Sequence, residues 1–155
     1  MINNDILRRL RYALNIGNAE MAAIFGLAGY DITQSAILDM LKKEEEEGFA
    51  DCSDKALASF LDGLIASRRG KRDDSGCEPV KQVTRLTNND ILKKIRIAMN
   101  FREDDMMEIF TLAEFSISKT ELSALFRKKG HKNYKVCGDQ LLKNFLKGLT
   151  IKCRV

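Results

Sequence analysis

Few residues in this chain could do covalent or acid-base chemistry: one histidine, His131, and four cysteines, Cys52, Cys77, Cys137 and Cys153. His131 stands in KKGHKNYK, among lysines and without an acidic neighbour to orient it, so the local support that a general base requires is missing. It reads as a solvated loop histidine. Cys52 and Cys137 each directly precede an expected helix, where the helix dipole can lower a thiol pKa. Their neighbours differ, Asp51 and Ser53 against Val136 and Gly138, so no shared activating environment follows, and both read as small buried hydrophobes at a corner between helices. The cysteines form no C-x-x-C pair and lie far apart, which fits reduced thiols rather than a disulfide framework or a zinc site. No G-x-x-x-x-G-K-S/T or G-x-G-x-x-G stretch marks a nucleotide loop. The acidic run EEEEGFAD lacks the alternating oxygen ligands and central glycine of a calcium loop. The expectation is a protein without cofactor or metal, and not an enzyme.

Charge placement says more than net charge, which is only +4. Lys and Arg against Asp and Glu give 6 minus 11, or −5, over residues 1–67; 6 minus 3, or +3, over 68–86; and 14 minus 8, or +6, over 87–155. Where the first of these blocks carries EEEEGFAD, the last carries KKGHKNYK. Arg127, Lys128, Lys129, Lys132 and Lys135, with Tyr134 among them, therefore make a candidate binding surface for RNA or an acidic protein partner. The plain alternatives are a solvated face, or an attraction between the two halves that helps them dock. A second basic set, Arg8, Arg9 and Arg11, matches Lys93, Lys94 and Arg96, and such residues off an apolar stripe ordinarily serve solubility.

Those comparisons rest on a repeat. Shifting the chain on itself by 85 residues aligns 3–65 with 88–150 without a gap, and about a third of the pairs are identical. NNDILRRLRYALN becomes NNDILKKIRIAMN, and Met21, Phe25, Cys52, Phe60 and Gly63 find Met106, Phe110, Cys137, Phe145 and Gly148. Between the copies lies a charged stretch with the single proline, Pro79, of linker composition. The predicted organisation is a first repeat over 1–67, a linker over 68–86 and a second repeat over 87–155.

Each copy predicts four short helices. Ile6, Leu7, Leu10, Ala13 and Leu14 form an apolar stripe at helical spacing. Asn3 is placed to cap that helix and Asn15 or Asn100 to end one. Met21, Ile24 and Phe25 mark a second helix, and Thr33 or Ser118, the latter with Glu121 three residues on, starts a third. The fourth opens near Asp54 or Asp139. No segment alternates as a strand does, so the fold is predicted to be all-α: two homologous four-helix repeats packed with pseudo-two-fold symmetry. A unit of about 65 residues buries only roughly 60% of the surface its unfolded chain exposes, so each copy is expected to cover the other. Gly63 and Gly148 cost their helix about 1 kcal/mol each against alanine, which close approach of another helix would offset. The second helix, turn and third helix also match a helix-turn-helix in order and length, but weakly: Thr111 and Glu114 replace Gly26 and Gly29.

NNDILRRLRYALN, MAAIFGLAGYDIT and CSDKALASFLDGL, repeated in order as NNDILKKIRIAMN, MMEIFTLAEFSIS and CGDQLLKNFLKGL, resemble the YehS-like domain-of-unknown-function family of bacterial proteins. The resemblance covers nearly the whole chain outside the linker. It implies a small bacterial tandem-repeat protein and no activity, and it carries over no site residues.

No apolar run approaches the roughly 18 residues needed to span a bilayer, and MINNDILRRL puts charges where a signal peptide needs an apolar core, so the chain is expected in the cytosol. The reading is a non-enzymatic interaction module that binds RNA or a ribonucleoprotein through its second repeat. The rival is a protein-binding adaptor or homo-oligomer joined through complementary acidic and basic repeats.

Overall fold

A computed structural model describes residues 2–69 and 85–154, and among these the secondary structure is entirely helical. The helices are α1 (Asn3–Leu14), α2 (Asn18–Leu27), α3 (Gln34–Leu41), α4 (Asp54–Arg69), α5 (Asn88–Met99), α6 (Glu103–Leu112), α7 (Lys119–Leu125) and α8 (Asp139–Arg154). Four fall in each copy. The expected linker lies mostly outside the described residues, as do Cys77 and Pro79, while α4 runs on to Arg69. Among the described residues no helix is long and apolar enough to cross a membrane.

Local chemistry sets the helix ends. In α1 and α5 the apolar residues recur every three or four positions, so Ile6, Leu7, Leu10 and Ala13, and Ile91, Leu92, Ile95 and Ala98, bury one face. Asn15 and Asn100 then adopt the left-handed conformation, φ 53° and 56°, which lets the next amide reach back: Ile16 N donates to Arg11 O at 3.1 Å and Phe101 N to Arg96 O at 3.0 Å. Thr33 and Ser118 cap α3 and α7, accepting from Ala36 N and Glu121 N at 3.1 Å each. The expected cap at Asn3 is corrected. Ile2 occupies that position without a side-chain bond, and α1 begins at Asn3 itself. The Asn3 amide is drawn instead to the α3–α4 connection, donating to Cys52 O at 3.1 Å and to Asp54 Oδ1 at 2.7 Å. In the second copy Thr87 does cap, in a reciprocal box with Asp90.

Within each copy α2 packs on α4, and α6 on α8. Gly63 and Gly148 permit it: a Cβ at either position would lie 1.8 Å from Ile24 O or 1.9 Å from Ile109 O. Only a residue without that atom lets the two helix backbones meet. Phe25 then stacks obliquely on Phe60, ring centroids 5.4 Å apart, and Phe110 on Phe145 at 5.7 Å.

Between copies α1 packs on α8, and α4 on α5. Exchanging the copies turns the first pair into the second, which is the expected pseudo-two-fold arrangement. Its register is fixed by matching bonds: Arg154 donates to Tyr12 O at 2.7 Å, and the aligned Arg69 donates to Ile97 O at 3.2 Å. Buried side chains from both copies form one continuous core. Apolar faces, not the acidic and basic loops, make the junction: among the described residues no ion pair joins Glu44–Glu47 to the 127–135 loop.

Candidate functional site

The basic loop is the connection between α7 and α8, and the NND sequence that opens α5 holds it. Asn89 is buried, and its side chain makes three bonds: Nδ2 donates to Leu125 O at 3.0 Å and to Lys135 O at 2.9 Å, while Oδ1 accepts from Cys137 N at 2.9 Å. Asn88 adds donation to Cys137 O at 3.0 Å and to Asp139 Oδ1 at 2.8 Å, which lowers the Asp139 carboxyl pKa. Both ends of the loop are thereby tied to the first turn of α5. Asn3 and Asn4 clamp the acidic loop of the first copy in the same way, Asn4 bonding Met40 O, Ala50 O and Cys52 N. In the sequence only Asn3 reads as having a role, that of a helix cap, and Asn4 and Asn89 stand merely within the repeated NND. The doubled NN was the available sign, because an amide that donates twice and accepts once can satisfy a loop backbone that no helix or sheet satisfies.

Inside the clamp the loop is pinned by its own backbone. His131 N donates to Lys128 O at 3.0 Å, Tyr134 N to His131 O at 2.9 Å, and Lys135 N to Ala124 O at 3.1 Å. The six candidate residues divide on this frame. Arg127, Lys128, Lys129 and Lys132 are exposed, and none forms an ion pair with a described residue. Lys135 is half-buried and committed to Glu121, Nζ to Oε2 2.9 Å, a contact that also lowers the Glu121 pKa. Tyr134 is half-buried at the edge of the loop and outside the core cluster, as is the aligned Phe49.

Of the possible nucleophiles, Cys52 and Cys137 are buried, while Cys153, near the end of α8, is exposed. Burial, reinforced by Asp54 and by Asp139 respectively, pushes the Cys52 and Cys137 thiols up to about 12. They are packing residues at the corner where each loop enters its last helix. His131 is exposed, and its Nδ1 accepts from Asn133 N at 3.1 Å. Among the described residues no three His, Cys, Asp or Glu side chains converge as metal ligands would. A cleft of about 390 Å³ opens where the ends of α4 and α5 meet, lined by Arg68, Arg69, Ala98, Met99 and Asn100. No carboxylate, thiol or imidazole is among them.

The basic residues of α1 and α5 do not act as one set. Arg8 pairs with Asp5, and Lys94 with Asp62 of α4 across the copy junction. Arg11 donates to Asn18 Oδ1 at 3.0 Å, with its Nε buried and unpartnered, and Arg96 donates to Phe101 O at 3.2 Å while lying 4.6 Å over the Phe126 ring. Arg9 and Lys93 are exposed.

Two four-helix repeats, each opened by an NND clamp on its own α3–α4 or α7–α8 loop and sharing one core, define an all-α tandem-repeat protein. The chain belongs to the family described as "Protein of unknown function (DUF1456)", which matches residues 3–70 and again 88–154. It is 42% identical, over 155 residues, to the uncharacterized protein YehS of Escherichia coli (strain K12), covering 100% of this chain and 98% of that protein. No solved structure matches.

Proposed function

We propose that the protein is a non-enzymatic interaction module that binds the phosphate backbone of RNA, alone or in a ribonucleoprotein, through the α7–α8 loop. The observation that carries this reading is the state of Arg127, Lys128, Lys129 and Lys132: exposed, without acidic partners among the described residues, and mounted on a loop whose backbone is already fixed. A cation held ready by a rigid frame loses less entropy on meeting a phosphate than one on a floppy segment. Tyr134 stands beside them, half-buried, where stacking on a base is worth roughly 1 to 3 kcal/mol. The raised thiol pKa values favour binding over nucleophilic catalysis. Lys135, spent on Glu121, supports the loop rather than the ligand.

Binding of labelled single-stranded RNA, titrated with salt, tests the reading. Each phosphate contact contributes about −0.7 to the slope of log affinity against log salt. Lys128→Glu with Lys132→Glu should weaken binding at least tenfold and flatten the slope by about 1.4, two such contacts. A second reading rests on Glu44–Glu47, exposed and without ion pairs to described residues on the equivalent loop of the first copy. Acidic loop of one chain would then meet basic loop of another. Wild-type protein that fails to bind RNA at low salt, yet self-associates until the same two substitutions are made, establishes that reading instead.

A further inference from the structure

The pseudo-two-fold makes the chain its own control, and at one pair of positions the two halves disagree. Where α5 packs on α4, Lys94 pairs with Asp62, and both side chains are only 28% exposed. The aligned residues where α1 packs on α8 are Arg9 and Lys147, two cations, and both are exposed. The helix pairs share one register, because Arg154 on Tyr12 O repeats Arg69 on Ile97 O two helical turns beyond this point. That register places Arg9 opposite Lys147, and neither forms an ion pair with a described residue. Like charges across a helix seam are unfavourable, and a solubilising role does not require facing positions. Lys143, also exposed, stands one turn before Lys147 on α8, and α8 is entered directly from the basic loop.

We infer that the α1–α8 seam, through Arg9, Lys143 and Lys147, is a second seat for the phosphate backbone of the single-stranded RNA that the α7–α8 loop binds. The inference rests on the proposed function for the identity of its ligand. The placement of Arg9 opposite Lys147 follows from the shared register and does not depend on it. A phosphate between the two cations would take the place that the Asp62 carboxylate holds beside Lys94. The first copy lacks this pattern on its equivalent α4 face, where Asp62 stands in place of Lys147 and Ala58 in place of Lys143. Only one of the two seams is built for a polyanion.

The test is Lys147→Asp, which copies the residue type of the other seam. Thermal unfolding of the full chain and salt-titrated binding of a fluorescently labelled oligouridylate are measured for it, for wild type and for Lys128→Glu with Lys132→Glu. The substitution should raise the thermal midpoint by about 1 to 3 °C, since it replaces a repulsion with an ion pair. It should also reduce RNA affinity at least tenfold and flatten the salt slope by about 1.4, through loss of two phosphate contacts. A midpoint that stays or falls both for Lys147→Asp and for Lys147→Glu, which keeps the helix preference of lysine, shows that the two cations do not face each other, and overturns the inference. Unchanged affinity and slope beside a weakened loop variant also overturn it, and leave the loop standing as the whole site. If Lys147→Asp weakens binding while the loop variant binds as wild type, the seam is upheld and the loop reading is lost. Wild type that does not bind the oligouridylate at low salt removes the RNA ligand from both.

Discussion

The asparagine that follows Asn3 or Asn88 shows how much one side chain can hold. Asn4 and Asn89 are buried polar residues whose side chains each make three bonds, and their partners are backbone groups at the two ends of each loop. Replacing either with alanine strands three such groups, and a buried group left unpaired costs about 1–3 kcal/mol. Asn4→Ala and Asn89→Ala should each lower unfolding free energy by at least about 2 kcal/mol in urea, with water recovering part of the loss. Asn89→Ala should also loosen the basic loop, visible as faster amide exchange at Lys135 and Cys137. The two buried thiols give a pH signature. Burial raises their folded pKa from 9.0 to about 12, so above pH 9 the native state holds protons that the unfolded state has released. Stability from this source is complete below pH 9 and declines as pH rises toward 12. The slope approaches about 2.7 kcal/mol per pH unit for the two thiols together. The double variant Cys52→Ala, Cys137→Ala should show a shallower decline over that window than wild type, measured by denaturant unfolding at each pH.

At the scale of the helix, the glycines separate propensity from packing. Gly26 lies in the last turn of α2 with no heavy atom within 4 Å of a prospective Cβ, and Gly63 sits mid-helix with a carbonyl 1.8 Å from one. The same substitution should therefore act in opposite directions. Gly26→Ala should stabilise by up to about 1 kcal/mol, the intrinsic helix preference. Gly63→Ala or Gly148→Ala must push two helices apart, and should destabilise by at least about 2 kcal/mol despite that preference. Equal shifts in urea midpoint for Gly26→Ala and Gly63→Ala would contradict the close approach of α2 and α4. The helix-turn-helix likeness also belongs to this scale. Gly29 is left-handed at φ 77°, and Glu114 keeps that conformation at φ 57°. Glutamate thus adopts a turn that glycine makes more readily, so the turn survives the loss of its glycine.

For the whole molecule the exchange of partners matters most. α1 covers α8 and α5 covers α4, so neither copy closes its core alone. A chain of residues 1–69 by itself should lack the cooperative unfolding of the intact protein. Cutting the intact protein between residues 69 and 85 should leave the two pieces bound and the melting transition in place at protein concentrations above their affinity. Cooperative melting of the 1–69 piece at the intact midpoint would refute this arrangement.

Sequence alone determined the helices, their buried faces and the duplication, because period and repeat are local or linear properties that a single chain displays. The apolar stripes of α1 and α5, the caps at Thr33 and Ser118, the stops at Asn15 and Asn100 and the glycine contacts were all legible. The charge split located the basic loop, since composition survives without coordinates. Tertiary structure decided what each charge and each amide does there. Asn3 reads as a cap because caps are local, yet its amide serves a loop 49 residues away. Lys135 reads as one of five loop cations, yet Glu121 takes it. Arg9 and Lys94 read as equivalents, yet α4 of the other copy brings Asp62 to Lys94, while Arg9 stands exposed without an ion pair among the described residues. Such pairings depend on which distant residue arrives alongside, and only the folded chain brings it there.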